Sequence, residues 1–207
     1  MLRSKALLLF LVKFLLIYFI AVTPLLPLST MYTRMMRNLA SEFFHTFRET
    51  GEIRFKKNKD PKFDTRIVVI NKAIDVADDS PGEVGKDYSL YIGGFIPLAL
   101  VTGLIFASQV PWRRRIFVWL ISFIVVDFFL MIKIWFVAIV IIHRFPDLGF
   151  PLRSNYSQET RDNIIYFVSN PHPSYILCVL LWLSVTFRKE DWNKVILYSR
   201  KRLLKVS

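Results

Sequence analysis

Tyr88-Ser-Leu-Tyr-Ile-Gly-Gly-Phe-Ile-Pro-Leu-Ala-Leu-Val-Thr-Gly-Leu-Ile-Phe-Ala-Ser108 is a run of 21 residues without a charge. Gln109-Val-Pro-Trp-Arg-Arg-Arg115 follows with three arginines and no acid, and Ile116 opens another apolar run that lasts to His143. At ~1.5 Å per helical residue, each run is long enough to cross ~30 Å of hydrocarbon. Two such helices joined by seven residues, three of them arginine, form an antiparallel pair whose turn belongs on the cytoplasmic face.

Working outward, Ala6–Leu28 is a further apolar run, broken only by Lys13. It follows Arg3 and Lys5 as a signal peptide would, but it exceeds a typical signal h-region and no A-x-A-like site follows Leu28. It is read as a retained first span. Toward the C-terminus, Ser174–Phe187 alone is too short to cross. Taken from Asn163 the stretch reaches 25 residues, with a break at Pro171-His172-Pro173 where two prolines withhold backbone donors.

The expected fold class is therefore a mainly α membrane protein of four transmembrane helices, with a small helix-plus-β-hairpin insertion between the first two. The divisions are 1–28 (first span, N-terminus inside), 29–87 (extracytoplasmic insertion), 88–108 (second span), 109–115 (cytoplasmic Pro-Trp-Arg turn) and 116–143 (third span). There follow 144–162 (extracytoplasmic loop), 163–187 (Pro-broken fourth span) and 188–207 (basic amphipathic tail). Composition agrees: 54% of residues are hydrophobic and mean hydropathy is +0.40, against about 45–50% apolar in soluble domains.

A net charge of +12 is compatible with nucleic-acid binding, but the placement of the charges argues otherwise. The N-terminus, the arginine turn and the tail hold twelve basic and two acidic residues, a balance of +10. The insertion holds eleven basic against ten acidic residues, and the 144–162 loop three against three. This is the asymmetry expected of a multi-pass membrane protein with both termini on the cytoplasmic side. Arg113, Arg114 and Arg115, with Arg200, Lys201 and Arg202, are expected to meet anionic lipid headgroups rather than nucleic acid. The tail from Trp192 to Val206 has the periodicity of an interfacial helix.

Within the insertion, Met35, Leu39, Phe43 and Phe47 recur at four-residue spacing, which predicts an amphipathic helix. Glu52-Ile-Arg-Phe-Lys-Lys57, the turn-like Asn58-Lys59-Asp60-Pro61, and Phe63-Asp-Thr-Arg-Ile-Val-Val-Ile-Asn71 predict a β-hairpin. A lone hairpin is marginal in water. It should pack on the helix, on a third strand or on a partner, and Ile53, Phe55, Ile67 and Val69 are the expected partner surface. Asp78–Gly82 reads as an exposed loop.

Three charges remain inside the spans: Lys13, Asp127 and Lys133. A lysine stem is long enough to join Lys13 to Asp127 as a buried ion pair locking two helices, while Lys133 is expected to snorkel outward. A proton or ion relay is the other reading, although a relay ordinarily needs more than one acid at depth. His45, His143, His172 and Asp147 match no metal-ligand spacing. Ser89, Ser174 and Ser184 lack a nucleophile-elbow context, and no phosphate-binding glycine loop is present. No catalytic, cofactor or metal site is expected.

Tyr88–Ser108 followed by Pro111-Trp-Arg-Arg-Arg115 is similar to a stretch of the exosortase H-associated membrane proteins, with their Tyr/Gly-rich helix start, Pro-Leu-containing helix and Pro-Trp-Arg-Arg-like turn. Asn163-Ile-Ile165 ahead of a proline-broken helix, and Leu180-Leu-Trp-Leu183, resemble their final span. Exosortases process C-terminal sorting signals with a Cys and Arg. Here Lys86-Asp87-Tyr88-Ser89-Leu90 stands where such a cysteine is expected, and the one cysteine, Cys178, sits in an apolar run without an adjacent arginine. The resemblance thus implies a non-catalytic companion of such an enzyme, working beside other membrane subunits. A small conducting protein using Asp127, and a membrane hydrolase or transpeptidase using His143 or His172, are the alternatives.

Overall fold

The 33-residue helix Trp112–Arg144 is the axis on which the rest of the chain is hung. At ~1.5 Å per residue it is ~50 Å long, well beyond one bilayer core. The computed structural model describes residues 2–23, 27–44, 46–47, 51–60, 63–72, 83–108, 110–145 and 158–186. The elements are α1 (Leu2–Val22), α2 (Leu28–Phe44), β1 (Thr46–Phe47), β2 (Gly51–Lys57), β3 (Thr65–Asn71) and β4 (Glu83–Tyr88). A π-helical turn (Tyr91–Phe95) leads directly into α3 (Ile96–Ala107), followed by α4 (Trp112–Arg144), α5 (Gln158–Ser169) and α6 (His172–Thr186). The protein is mainly helical with one small antiparallel sheet, its strands in sequence order.

Among the described residues, α4 alone is long and apolar enough to cross a membrane unaided. Asp162–Ser169 with His172–Ser184 meets that measure only as a pair and is bent by 60°. Leu8–Val22 and Tyr91–Ala107 are shorter apolar helices. The first helix stops at Val22 rather than running to Leu28, because Pro24 and Pro27 interrupt it; Leu28 already belongs to α2. The break expected at Pro171-His172-Pro173 falls between α5 and α6, so 163–169 leans away from the axis of α6.

α1 packs on α3, and α3 on both α4 and α6. Polar side chains in these contacts find partners: Trp119 donates to Thr102 Oγ1 at 3.0 Å, and Trp182 to Ser108 Oγ at 2.8 Å. Buried Cys178 donates to the Pro97 carbonyl at 3.2 Å. Pro97 also explains the π turn. It has no N–H for the preceding turn, and the Ile96 N–H reaches back five residues to the Tyr91 carbonyl.

The sheet covers the far third of α4. Pairings Ile53↔Val69, Phe55↔Ile67 and Val69↔Val84 align one apolar face, which meets α2 and the α4 stretch holding buried Ile134, Val137, Ala138 and Ile141. Ile53, Ile67 and Val69 are at most 1% exposed, and Phe55 is half-buried against the same cluster. These four side chains are therefore core rather than the partner surface expected of them. Each fully buried aliphatic contributes ~1.5–3 kcal/mol, a gain the hairpin could not collect alone. Strand β4 supplies the third long strand, and the opposite face carries charge: Lys56–Glu83 at 2.6 Å, with Glu52 between Arg54 and Lys72.

The amphipathic helix is present as α2, but a different stripe packs inward. Tyr32, Met36 and Ala40 are buried, whereas Met35 and Phe43 are exposed. Of the expected stripe, Leu39 is half-buried against the core while Met35 and Phe43 stay open; the packed face is Tyr32, Met36 and Ala40, one residue round, and its tyrosine and alanine do not register in a period of large apolar residues. The tail 188–207 and the loop Asp78–Gly82 lie outside the described residues.

Candidate functional site

Asp127 lies midway along α4 and is 8% exposed. Its Oδ1 accepts a 2.8 Å hydrogen bond from the Tyr32 hydroxyl on α2. Two features make this reach possible. α2 contacts both α4 and the π turn, and Gly94 in that turn leaves room for the ring. A Cβ at Gly94 would stand 2.6 Å from the Tyr32 hydroxyl and 2.5 Å from Leu130 Cδ2, so no larger residue fits without displacing them. Tyr32 packs further against Phe95, ring centroids 5.6 Å apart.

Beside this pair an apolar groove of about 720 Å³ opens between α2 and α4. Leu39, Phe43, Phe123, Phe128, Met131 and Trp135 form much of its wall, and among the described residues Asp127 is the one ionisable group in it. Phe128 and Ile124, on the same side of α4, are each 66% exposed. A carboxyl group with several acceptor positions and one donor thus sits at the floor of an otherwise oily trough.

Lys13 does not complete it. Lys13 is exposed on α1, and α1 is packed against α3, which in turn packs on α4. The Lys13–Asp127 ion pair is replaced by the neutral donor Tyr32, a residue that carries no charge to mark it in the sequence. Lys133 also departs from expectation. It is 1% exposed rather than snorkelling, and its Nζ donates to the Asn170 carbonyl at 2.9 Å. That carbonyl lies at the α5–α6 break, where the Ser174 N–H, four residues on, turns to the Pro171 carbonyl instead. Lys133 therefore fastens α4 to the broken helix.

A second unforeseen acid organises the join between sheet and helices. Asp64, just before β3, accepts from the backbone N–H groups of Leu90 (3.2 Å) and Tyr91 (2.8 Å), from Ser89 Oγ (3.2 Å) and from Thr65 Oγ1 (2.6 Å). It satisfies the free donors where the π turn begins, as an N-cap does. The signal was the Asp-Thr pair closing the hairpin turn, but its target lies 26 residues away.

The remaining candidates do not converge. Arg113 is exposed at the start of α4, and Arg115 Nε donates to the Val110 carbonyl at 2.6 Å. Arg200, Lys201 and Arg202 lie outside the described residues, as do His45 and Asp147. His143 ends α4 and His172 starts α6. Among the described residues, no three of the side-chain types His, Cys, Asp and Glu gather closely enough to hold a metal ion. The chemistry on offer is hydrogen bonding and ion pairing in an apolar setting. Compared with known proteins, the chain matches no protein-family model, no curated protein sequence and no solved structure.

Proposed function

We propose that this protein is a non-catalytic accessory subunit of a bacterial inner-membrane complex, anchored by four transmembrane helices and recognising its partner in the plane of the membrane. In this reading α1, the π turn with α3, α4, and the broken pair of α5 with α6 (163–187) cross the bilayer. The Arg113–Arg115 turn meets anionic lipid in the cytoplasm, and the sheet lies outside. The helical stretches Tyr91–Ala107 and Trp112–Lys133 would span ~25 Å and ~33 Å at the α-helical rise, and the charge balance of +10 on one side supports the orientation. The likeness of residues 88–115 to exosortase-associated proteins makes a protein-sorting system the form of complex this reading favours.

The observation that carries the proposal is Asp127 at the floor of the groove between α2 and α4. An acid held there by one hydroxyl leaves acceptor positions that hydrocarbon cannot satisfy. A partner transmembrane helix bearing an amide, hydroxyl or basic donor fits both the oily walls and the acceptor. Conduction would need Asp127 and the broken helix at one place, and the break is bound to Lys133 instead.

The test is purification from native membranes in mild detergent, comparing wild type with Asp127→Leu. A second membrane protein is expected in constant ratio with the wild type and lost from the variant, both remaining folded. A monodisperse monomer in both cases overturns the proposal.

A further inference from the structure

At the end of the helices nearest the sheet, a separate cavity of about 330 Å³ lies between β4, the π turn, α4 and the α5–α6 break. Lys86, Asp87, Tyr88, Ser89, Lys133 and Ser169 supply its polar lining, and Phe63 and Ile92 its apolar flank. Its volume is at the small end of ligand pockets.

Three features of the lining are unresolved within the protein. The Lys133 ammonium, among the most deeply buried large side chains, has a neutral carbonyl as its acceptor and two further N–H bonds to place. The Tyr88 hydroxyl is buried with no hydrogen-bond partner, in a residue 8% exposed. Lys86 is drawn below the ordinary lysine range, first by burial and then by the nearby cation of Arg144. Asp87 offsets one charge, but it is exposed and in register with Arg66 across the strands. Ser89 is already committed to Asp64. Two lysines and a tyrosine whose hydroxyl is unpaired thus belong to one lining, an excess of donors over acceptors.

We propose that this cavity binds an anionic phosphoryl group, carried either by a phospholipid headgroup of the outer leaflet or by free phosphate. Lys133 and Lys86 would supply the charge-assisted bonds and Tyr88 a third donor, while Ile92 and Phe63 would flank the glycerol side of a lipid. The lipid source rests on the four-span placement proposed above; the free-phosphate source does not, so the two readings fail separately.

The full-length protein is titrated with inorganic phosphate in uncharged detergent. In parallel it is placed in nanodiscs of phosphatidylcholine with and without phosphatidylglycerol, and retained lipid is counted by native mass spectrometry. Lys133→Met is expected to weaken anion binding at least about tenfold, the loss of a hydrogen bond to a charged group. Tyr88→Phe is expected to weaken it about tenfold by the same measure, and because that hydroxyl has no partner in the protein the variant is expected to stay folded. Replacing Arg113, Arg114 and Arg115 with glutamine separates lipid held at the arginine turn. Phosphate binding in detergent that falls in Tyr88→Phe assigns a soluble anion. Selective retention of phosphatidylglycerol that falls likewise assigns a headgroup. Undiminished binding of both probes by folded Tyr88→Phe, or no binding of either by the wild type, overturns the proposal.

Discussion

The hydroxyl of Tyr32 donates a 2.8 Å hydrogen bond to Asp127 across 95 residues of sequence, tying α2 to the centre of α4. Losing one partner of such a buried bond costs more than losing both, since the survivor is stranded. Tyr32→Phe is therefore expected to destabilise the protein by about 1–3 kcal/mol. Asp127→Leu removes the acceptor and the desolvated carboxyl together. Combining the two should recover about 0.5–3 kcal/mol relative to additivity. Thermal unfolding in detergent of both single variants and the double variant measures this. Strict additivity means the bond carries no stability.

Gly94→Ala tests how the pair is seated. Its new Cβ would meet Leu130 Cδ2 at 2.5 Å and the Tyr32 hydroxyl at 2.6 Å, with the Tyr32 ring at 3.2 Å. Overpacking of this kind costs about 1–3 kcal/mol. The same change at Gly103 meets its nearest neighbour, Phe14, at 3.1 Å and should cost less. Equal melting temperatures for the two variants would contradict the crowding described here.

Lys13→Leu separates the ion pair expected from charge spacing from the arrangement found. Lys13 is exposed on a helix whose other outward residues include Leu9, Val12 and Leu16. Leucine there is expected to leave stability within about 0.5 kcal/mol of wild type. A loss matching that of Tyr32→Phe would restore the pairing of Lys13 with Asp127.

What the residues disclosed in advance was governed by period and length. Apolar runs located the helices, alternation located β2 and β3, and Pro171 with Pro173 located the break, because each signal acts over a few neighbouring residues. Burial partners were not legible in this way. Ile53 and Val69 read as a surface in need of cover, and the cover proved to be α2 and the end of α4. Asp127 stands out as a charge and so points to a charged partner, while its actual partner is the neutral phenol of Tyr32, outside the Met35-Leu39-Phe43 stripe. Strand β4 is not legible in the sequence because Glu83-Val-Gly-Lys-Asp-Tyr88 lacks a β-branched run, and it stands at the sheet edge, paired with β3 alone among the described strands.

Glu52 should set part of the acid sensitivity of the sheet. Hydrogen bonds from Arg54 and Lys72 hold its carboxyl down from 4.5 to about 2. A folded-state value below the unfolded one means the native state binds fewer protons in that window. The contribution is complete above 4.5 and disappears as pH falls toward 2. All three side chains are solvent-accessible, so the effect is modest and weakened by salt. Carboxyl-carbon NMR of labelled glutamate should show one resonance titrating well below the others, moving upward in Lys72→Met. A resonance at the ordinary value would remove the bridge.

Asp64 is the joint between the sheet and the helices, and its removal should loosen one from the other. Its two oxygens accept from the Leu90 and Tyr91 N–H groups, from Ser89 and from Thr65. The Arg37 guanidinium adds a 3.1 Å bond to its backbone carbonyl, which a side-chain substitution leaves in place. Loss of an N-cap costs about 0.5–2 kcal/mol, and here the same carboxylate also closes the start of β3. Asp64→Ala is expected to fall at or above the top of that range, and Asp64→Asn, which keeps one acceptor oxygen, to recover part of the loss. Local opening is the sharper readout. Hydrogen exchange should accelerate at Leu90, Tyr91 and β4 in Asp64→Ala, while amides in the middle of α4 keep their protection. Uniform acceleration across the protein would show instead that sheet and helices open as one unit, leaving Asp64 as one stabilising contact among many.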